Sequence, residues 1–235
     1  MLDYRLDEGV AVLRLDDGKA NALSPALIAA LEAALDRAEK EARAVLLLGR
    51  EGRLCAGFDL GVMRSGVEPM RALVTAGAEL FLRIALHPLP VVVGCTGHAL
   101  AAGAILLLAA DTRIGARGEF KIGLNEVAIG MRLPIFAYEL ARERLSKRHL
   151  ARATMQAELY DPEGAVDAGF LDRTCDAGAL AETALAEARR LAALPQPAYS
   201  RTKAGLRGEL AAGIRATLAE DMARLAGPTP QGGAR

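Results

Sequence analysis

Hydrophobic and polar positions alternate along the chain in blocks that change period. Residues 4–15 read as strand, turn and strand, with Val10, Val12, Leu13 and Leu15 apolar and Asp7-Glu8-Gly9 as the turn. Ser24 is a helix N-cap with Pro25 in the first turn, and Leu27, Leu31, Ala34, Leu35 and Ala38 then recur on one face to about residue 40. Residues 44–48 are uniformly apolar, as in a parallel strand buried on both sides. The spacing predicts a loop over 49–57, a flexible segment over 61–69, a helix over 70–86, and a stop at His87-Pro88-Leu89-Pro90. Residues 91–93 form a β-branched strand, Gly94 and Gly97 a turn, and a helix begins near Ala101 and closes at Asp111. Short strands follow at 112–116 and 120–122. Beyond Pro134 the pattern predicts helices over 135–144, 147–157, 161–168 and 177–193, with a short strand at 170–174. Pro195 and Pro197 mark a junction, and residues 200–226 form an amphipathic helix broken or bent near Gly205–Gly213. Strand, helix and strand in alternation define an α/β fold with parallel strands and crossover helices.

Composition narrows this picture. The 235 residues are 52% hydrophobic, enough to bury a sizeable core. Lys and Arg number 29 against 29 Asp and Glu, so no nucleic-acid groove or acidic-lipid surface is expected. Cys55, Cys95 and Cys175 are odd in number, far apart and without metal-ligand spacing, which implies reduced thiols, a cytoplasmic location and no metal. The opening MLDYRLDEG is charged, unlike a signal peptide. Residues 91–110 are long enough to cross a membrane, but Gly94, Thr96, Gly97 and His98 interrupt them. A buried strand and helix is the expected outcome, with no membrane partner.

Three stretches could carry chemistry. Around residues 91–111, a strand, glycines and a helix opening with Ala and Gly leave free N–H groups, a way to hold an anion with backbone alone. Tight helix packing is the plainer alternative. In Leu54-Cys55-Ala56-Gly57-Phe58-Asp59-Leu60, Asp59 suits an N-cap, and the segment also reads as an ordinary capped turn. In Ile122-Gly123-Leu124-Asn125-Glu126-Val127-Ala128-Ile129-Gly130, a carboxyl sits among apolar neighbours; burial would raise its pKa and suit a general base, whereas exposure would make it a surface Glu. His98 reads as a packed turn histidine, and three histidines show no Ser-His-Asp order. Met63, Met70, Met131 and Phe136 are candidates for an apolar pocket or for plain core. Arg132 is either an anchor for a polar group or a member of a surface ion pair.

In combination these stretches resemble the crotonase superfamily, the enoyl-CoA hydratase/isomerase group. Lys19-Ala20-Asn21-Ala22-Leu23 is similar to its Asn-Ala-Leu signature, 55–60 to its Ala-Gly-x-Asp-Leu motif, 97–111 to its glycine-rich helix ending in Asp, and 120–134 to its Glu…Gly…Pro block. The resemblance covers roughly residues 5–205. It implies a spiral of ββα units over 1–194, a helical C-terminal trimerisation region over 195–227, and a disordered tail over 228–235. It implies a homotrimer or hexamer and an acyl-CoA substrate. No cofactor would be bound permanently, coenzyme A being part of the substrate thioester.

Carried over, the thioester oxygen would be held by the N–H groups of Phe58 and Ala102. Coenzyme A would be contacted around Ala20, Ala22, Ala56, Gly57, Asp59 and Leu60, with Lys19 near the phosphates and Lys203 as a C-terminal basic contact. Met63, Ile105, Met131 and Phe136 would line the acyl pocket. The hydratases of the family use two glutamates. The later one falls on Glu126 and the earlier on Ile105, which cannot activate water. Residues 122–126 instead look like the Δ3,Δ2-enoyl-CoA isomerase branch, which works with one glutamate. Isomerisation by Glu126 is therefore expected. A hydratase with a second acid elsewhere, or a catalytically silent acyl-CoA binder, are the rivals.

Overall fold

A computed structural model describes residues 2–225. Strands β1 (Leu2–Asp7) and β2 (Val10–Leu15) form an antiparallel hairpin, and helix α1 (Pro25–Glu41) follows with Ser24 Oγ accepting the Leu27 N–H. From there the chain repeats one unit. β3 (Ala44–Leu48) and β4 (Gly52–Cys55) lead to α2 (Leu60–Arg64) and α3 (Val67–Leu86). β5 (Val91–Cys95) and β6 (Gly97–Leu100) lead to α4 (Ala102–Ala109), and β7 (Thr112–Ala116) and β8 (Ile122–Gly123) begin a third turn. The first strand of each unit joins one sheet and the second joins another. The larger sheet has the order β1-β2-β3-β5-β7-β9, with β9 at Arg173–Cys175, and the smaller has the order β4-β6-β8. After the hairpin these strands pair with one another in parallel. This is a spiral of ββα turns, the crotonase architecture.

Strand pleating explains the uniformly apolar sequence of β3. Val45 and Leu47 face the main core beneath the sheet, while Ala44, Leu46 and Leu48 face a second core closed by Leu180, Ala184 and Ala188 of helix α8 (Leu180–Ala192). Between β8 and α8 lie α5 (Ile135–Arg144), α6 (Lys147–Thr154) and α7 (Pro162–Ala168). The last helix, α9 (Gln196–Ala223), turns back and packs against α3 and α5. Each large aliphatic or aromatic side chain buried here, such as Phe81 or Leu80 of α3, contributes roughly 1.5–3 kcal/mol.

Several sequence-based expectations change. Residues 49–57 are not simply a loop, because β4 occupies 52–55 and pairs with β6. Gly94 and Gly97 are not turn residues but lie in β5 and β6. A Cβ at Gly97 would meet the Gly52 carbonyl carbon at 2.0 Å, so glycine here permits close strand approach. The segment 61–69 is mostly helical, in α2 and the start of α3. α9 runs unbroken through Gly205, Gly208 and Gly213, whose missing side chains would point into open space; they lower helix propensity without interrupting the helix. The boundary expected near 194 falls between α8 and α9, and the tail at 228–235 lies outside the described residues.

Candidate active site

The smaller sheet ends where chemistry could begin. Past Cys55 the chain pairs with 20–23: Ala56 donates to the Ala20 carbonyl (3.0 Å), Leu23 to Gly57 (2.8 Å), and Asp59 to Leu23 (3.0 Å). This parallel bridge of Phe58 with Leu23 uses the peptide groups on either side of Phe58 and turns its own N–H away. Gly57 makes the turn at φ +108°, a region open to glycine. Asp59 caps α2, its Oδ1 accepting the N–H groups of Gly61 (2.8 Å) and Val62 (3.1 Å).

Asn21 locks this ribbon. It is fully buried at φ +50°, and its Nδ2 donates to the carbonyls of Leu15 (3.0 Å) and Leu54 (3.1 Å). The Asp17 N–H donates to its Oδ1 at 3.0 Å. The sequence reading took Asn21 only as part of a motif. Its tolerance of left-handed backbone was the available signal.

β6 delivers the second turn. Ala101 stands at φ 51° and ψ −121°, a strained conformation for a residue with a side chain, and its N–H donates to the Gly123 carbonyl of β8 (3.0 Å). Ala102 then opens α4 without any side-chain cap. Gly103 lets α4 press against β4, since a Cβ there would lie 2.2 Å from the Cys55 oxygen. A Cβ at Gly57 would lie 3.8 Å from the Ala102 nitrogen, so the two turns adjoin. The N–H groups of Phe58 and Ala102 have no acceptor among the described residues. Two unpaired donors in adjoining turns can hold a developing oxyanion.

Glu126 follows β8. The strand is held by reciprocal hydrogen bonds between Ile122 and Tyr160, both 2.9 Å, and Glu126 begins a 3-10 turn over Val127–Ile129. Its side chain is 7% exposed, Oε2 accepts no hydrogen bond, and burial pushes its pKa up to about 7. Asn125 beside it also leaves its Oδ1 unpaired. Because Gly123 accepts from Ala101, the strand that leads to Glu126 is bonded to the turn that carries Ala102.

The other candidates fall in different places. Ala20, Ala22, Ala56, Gly57 and Asp59 lie on the paired ribbon, and exposed Leu60 opens α2. A cavity of about 270 Å³ is bordered by Asn21, Ala22, Ser24 and Asp59. Lys19 is exposed beside it. Lys203, expected as a C-terminal basic contact, has its ammonium buried against Asp111 Oδ2 (2.6 Å) and the Leu89 carbonyl (3.4 Å), where it serves an internal ion pair. Burial, opposed in part by Asp111, pushes it down to about 8.

Ile105 and Phe136 are 1% exposed and Met63 is 8% exposed, all packed into the core, while Met131 is half-buried against it. Phe81 stacks between Phe58 and Phe136, with centroids at 6.3 and 6.0 Å. Met70 is core. His98 accepts the Lys121 N–H at Nδ1 (3.0 Å) and meets the Phe120 ring edge-on, a packing role. Arg132 pairs with buried Asp221 at 2.7 Å. A groove of about 610 Å³ passes Val127, Leu133, Tyr138 and Met155, next to the turn that carries Glu126. Among the described residues no group of three or more His, Cys, Asp or Glu side chains could hold a metal ion, and no helix is long and apolar enough to cross a membrane.

A ββα spiral with two unpaired backbone donors in adjoining turns and a buried carboxyl fits an enzyme of the crotonase fold. The chain matches the enoyl-CoA hydratase/isomerase family over residues 5–226 and belongs to it. It is 45% identical to an enoyl-CoA hydratase/isomerase family protein from Pseudomonas syringae of known crystal structure, with TM-score 0.94 over 96% of this chain and 98% of that one. It is 31% identical to human mitochondrial enoyl-CoA delta isomerase 1 over 205 residues, covering 85% of this chain and 68% of the human protein. An enoyl-CoA hydratase from Mycobacterium marinum is 35% identical, with TM-score 0.91 over 96% and 99% of the two chains. The relatives thus include proteins named for isomerisation and for hydration.

Proposed function

We propose that the chain is a Δ3,Δ2-enoyl-CoA isomerase. The observation that carries this reading is a buried carboxyl with a free oxygen, Glu126, together with an α4 whose sequence AGAILLLA offers no second acid. Ionised Glu126 takes a proton from C2 of a 3-enoyl-CoA. The electron pair moves onto the thioester oxygen, which the N–H groups of Phe58 and Ala102 hold. The same carboxyl returns its proton to C4 as the oxygen releases the pair, and the double bond moves from C3 to C2. No water or redox partner is consumed, so one base suffices. A positioned general base is worth about 10²–10⁴-fold.

Coenzyme A lies along the ribbon of Ala20, Ala22, Ala56, Gly57 and Asp59 and the start of α2 at Leu60, with Lys19 toward the phosphates. Assembly is a homotrimer or hexamer, a reading supported by apolar exposure at Val127, Ile129, Met155 and Leu206, and the location is cytoplasmic.

Incubation with a 3-enoyl-CoA and separately with a 2-enoyl-CoA tests the proposal. Double-bond migration is expected with the first and no water addition with the second; hydration of the second overturns it. Glu126→Gln is expected to abolish turnover while coenzyme A thioesters still stabilise the protein. Because only the ionised carboxyl is a base and its pKa is about 7, kcat/KM rises as pH passes upward through 7 and levels off above. Thioester binding without turnover in the unaltered protein identifies a silent binder instead.

A further inference from the structure

The turn that carries Glu126 has little packing of its own. Val127, Ala128, Ile129 and Gly130 are exposed, and Glu126 Oε2 accepts no hydrogen bond that would aim the carboxyl. Backbone must therefore orient the base. On the near side β8 does this through Tyr160. Within the turn the Glu126 carbonyl accepts the N–H groups of Ile129 (3.1 Å) and Met131 (2.9 Å), which closes the loop immediately before Arg132.

The far side is held by one carboxylate from the last helix. Asp221 of α9 is 2% exposed. Its Oδ2 accepts the Ile135 N–H at 2.7 Å, and its Oδ1 lies 2.7 Å from the Arg132 guanidinium. Its carbonyl also accepts from Arg132 at 3.3 Å, and Arg132 donates to Leu133 at 3.3 Å. Ile135 is the first residue of α5, and the residue before it, Pro134, has no side-chain acceptor to cap the helix. Asp221 supplies that cap from a different helix, where a negative charge also meets the positive end of α5. Arg132 offsets the burial of the charge. One side chain thus fixes residues 132–135, directly after the turn closed on Glu126.

We infer that Asp221 is a positioning residue for Glu126, and that the C-terminal helix aims the base by anchoring residues 132–135. This rests on Glu126 being the base. Burial is the leading cause of the raised Glu126 pKa and no neighbouring charge contributes, so Asp221 acts through geometry.

The test compares Asp221→Ala, Asp221→Asn and Arg132→Gln with the unaltered protein, using isomerisation of a 3-enoyl-CoA per folded molecule. Displacing a catalytic group by about 1 Å costs up to about 10²-fold. Asp221→Ala should lower kcat by roughly 10–10²-fold with KM for the thioester little changed. Asp221→Asn keeps an acceptor for the Ile135 N–H and should recover most of that loss. Arg132→Gln should fall between them. A merely structural cap would reduce the yield of folded protein or Tm and leave kcat as it was, and that result overturns the inference. If Asp221→Ala does not fold, Arg132→Gln, altered at a half-exposed side chain, decides the matter by the same split. Glu126→Gln serves as the control. If it is inactive while the Asp221 and Arg132 variants are normal, only the positioning role fails. If it is fully active, the base assignment fails and the inference with it.

Discussion

At its first turn α4 leaves the Ala102 N–H without an acceptor, Ala101 offers no cap, and the backbone is held at positive φ. At its last turn polar groups are heavily engaged. Arg207 donates to the Ala109 carbonyl (3.1 Å), and Arg144 to those of Ala110 (2.7 Å) and Asp111 (3.2 Å). Asp111 in turn accepts from Val91 N–H (2.7 Å) and pairs with Lys203 (2.6 Å) and Arg207 (3.0 Å). Cations at a helix C-terminus oppose the negative end of the dipole. Burial also pushes Arg144 down to about 10, with Arg113 and Arg207 adding to the effect. The same helix is thus bolted at one end and left unsatisfied at the other. The contrast separates what polar groups do for the fold from what they are left free to do for a ligand: an uncapped helix start is tolerable because the opposite end fixes where the helix lies.

Three substitutions sharpen or break this contrast. The largest expected effect is on stability. Asp111→Ala strands Lys203 and Arg207 in a buried site and should cost about 3–5 kcal/mol, read from the denaturant midpoint, with kcat per folded molecule unchanged. A drop in kcat without loss of stability would show that the bolted end also does chemistry. Next is Ala102→Pro. Proline is accepted at the first helical position but has no N–H. Removing one oxyanion donor should lower kcat by about 10²–10³-fold, or about 3–4 kcal/mol, with circular dichroism and Tm near those of the parent. Wild-type turnover would remove Ala102 from the site. The smallest is Ala101→Gly, which relieves the positive φ and should raise stability by about 1–2 kcal/mol by thermal melting, leaving turnover intact. A loss of stability would mean that the turn is not strained.

Local rules made much of this legible. The capping side chains Ser24 and Asp59 act within three residues of themselves, and the apolar run at 44–48 gives its strand by composition alone. The smaller sheet was not legible. Its strands are two to four residues long and glycine-rich, and only pairing across distant segments makes them strands. Within the candidate site, Glu126 stood out because a carboxyl among apolar neighbours is unusual, and its burial followed. Lys203 and Arg132 kept their partners hidden, although an ion pair was one of the two readings of Arg132. A basic side chain in sequence looks available, whereas their partners Asp111 and Asp221 are remote in the chain and revealed only by folding. Ile105 carried no physical signal; only the spacing of a resembling motif marked it.

The clamp from Asp221 has a consequence for the order in which the enzyme comes into being. Synthesis proceeds from the N-terminus, so both backbone donors and Glu126 leave the ribosome well before α9. A nascent chain can pair residues 20–23 with 56–59 and seat α4 against β4, yet its base loop stays without its anchor until the final helix has emerged and docked on α3 and α5. If Glu126 is the base, competence for turnover waits until α9 has been made and docked, and a chain cut short before residue 221 holds its two free donors without the anchor for the Glu126 loop.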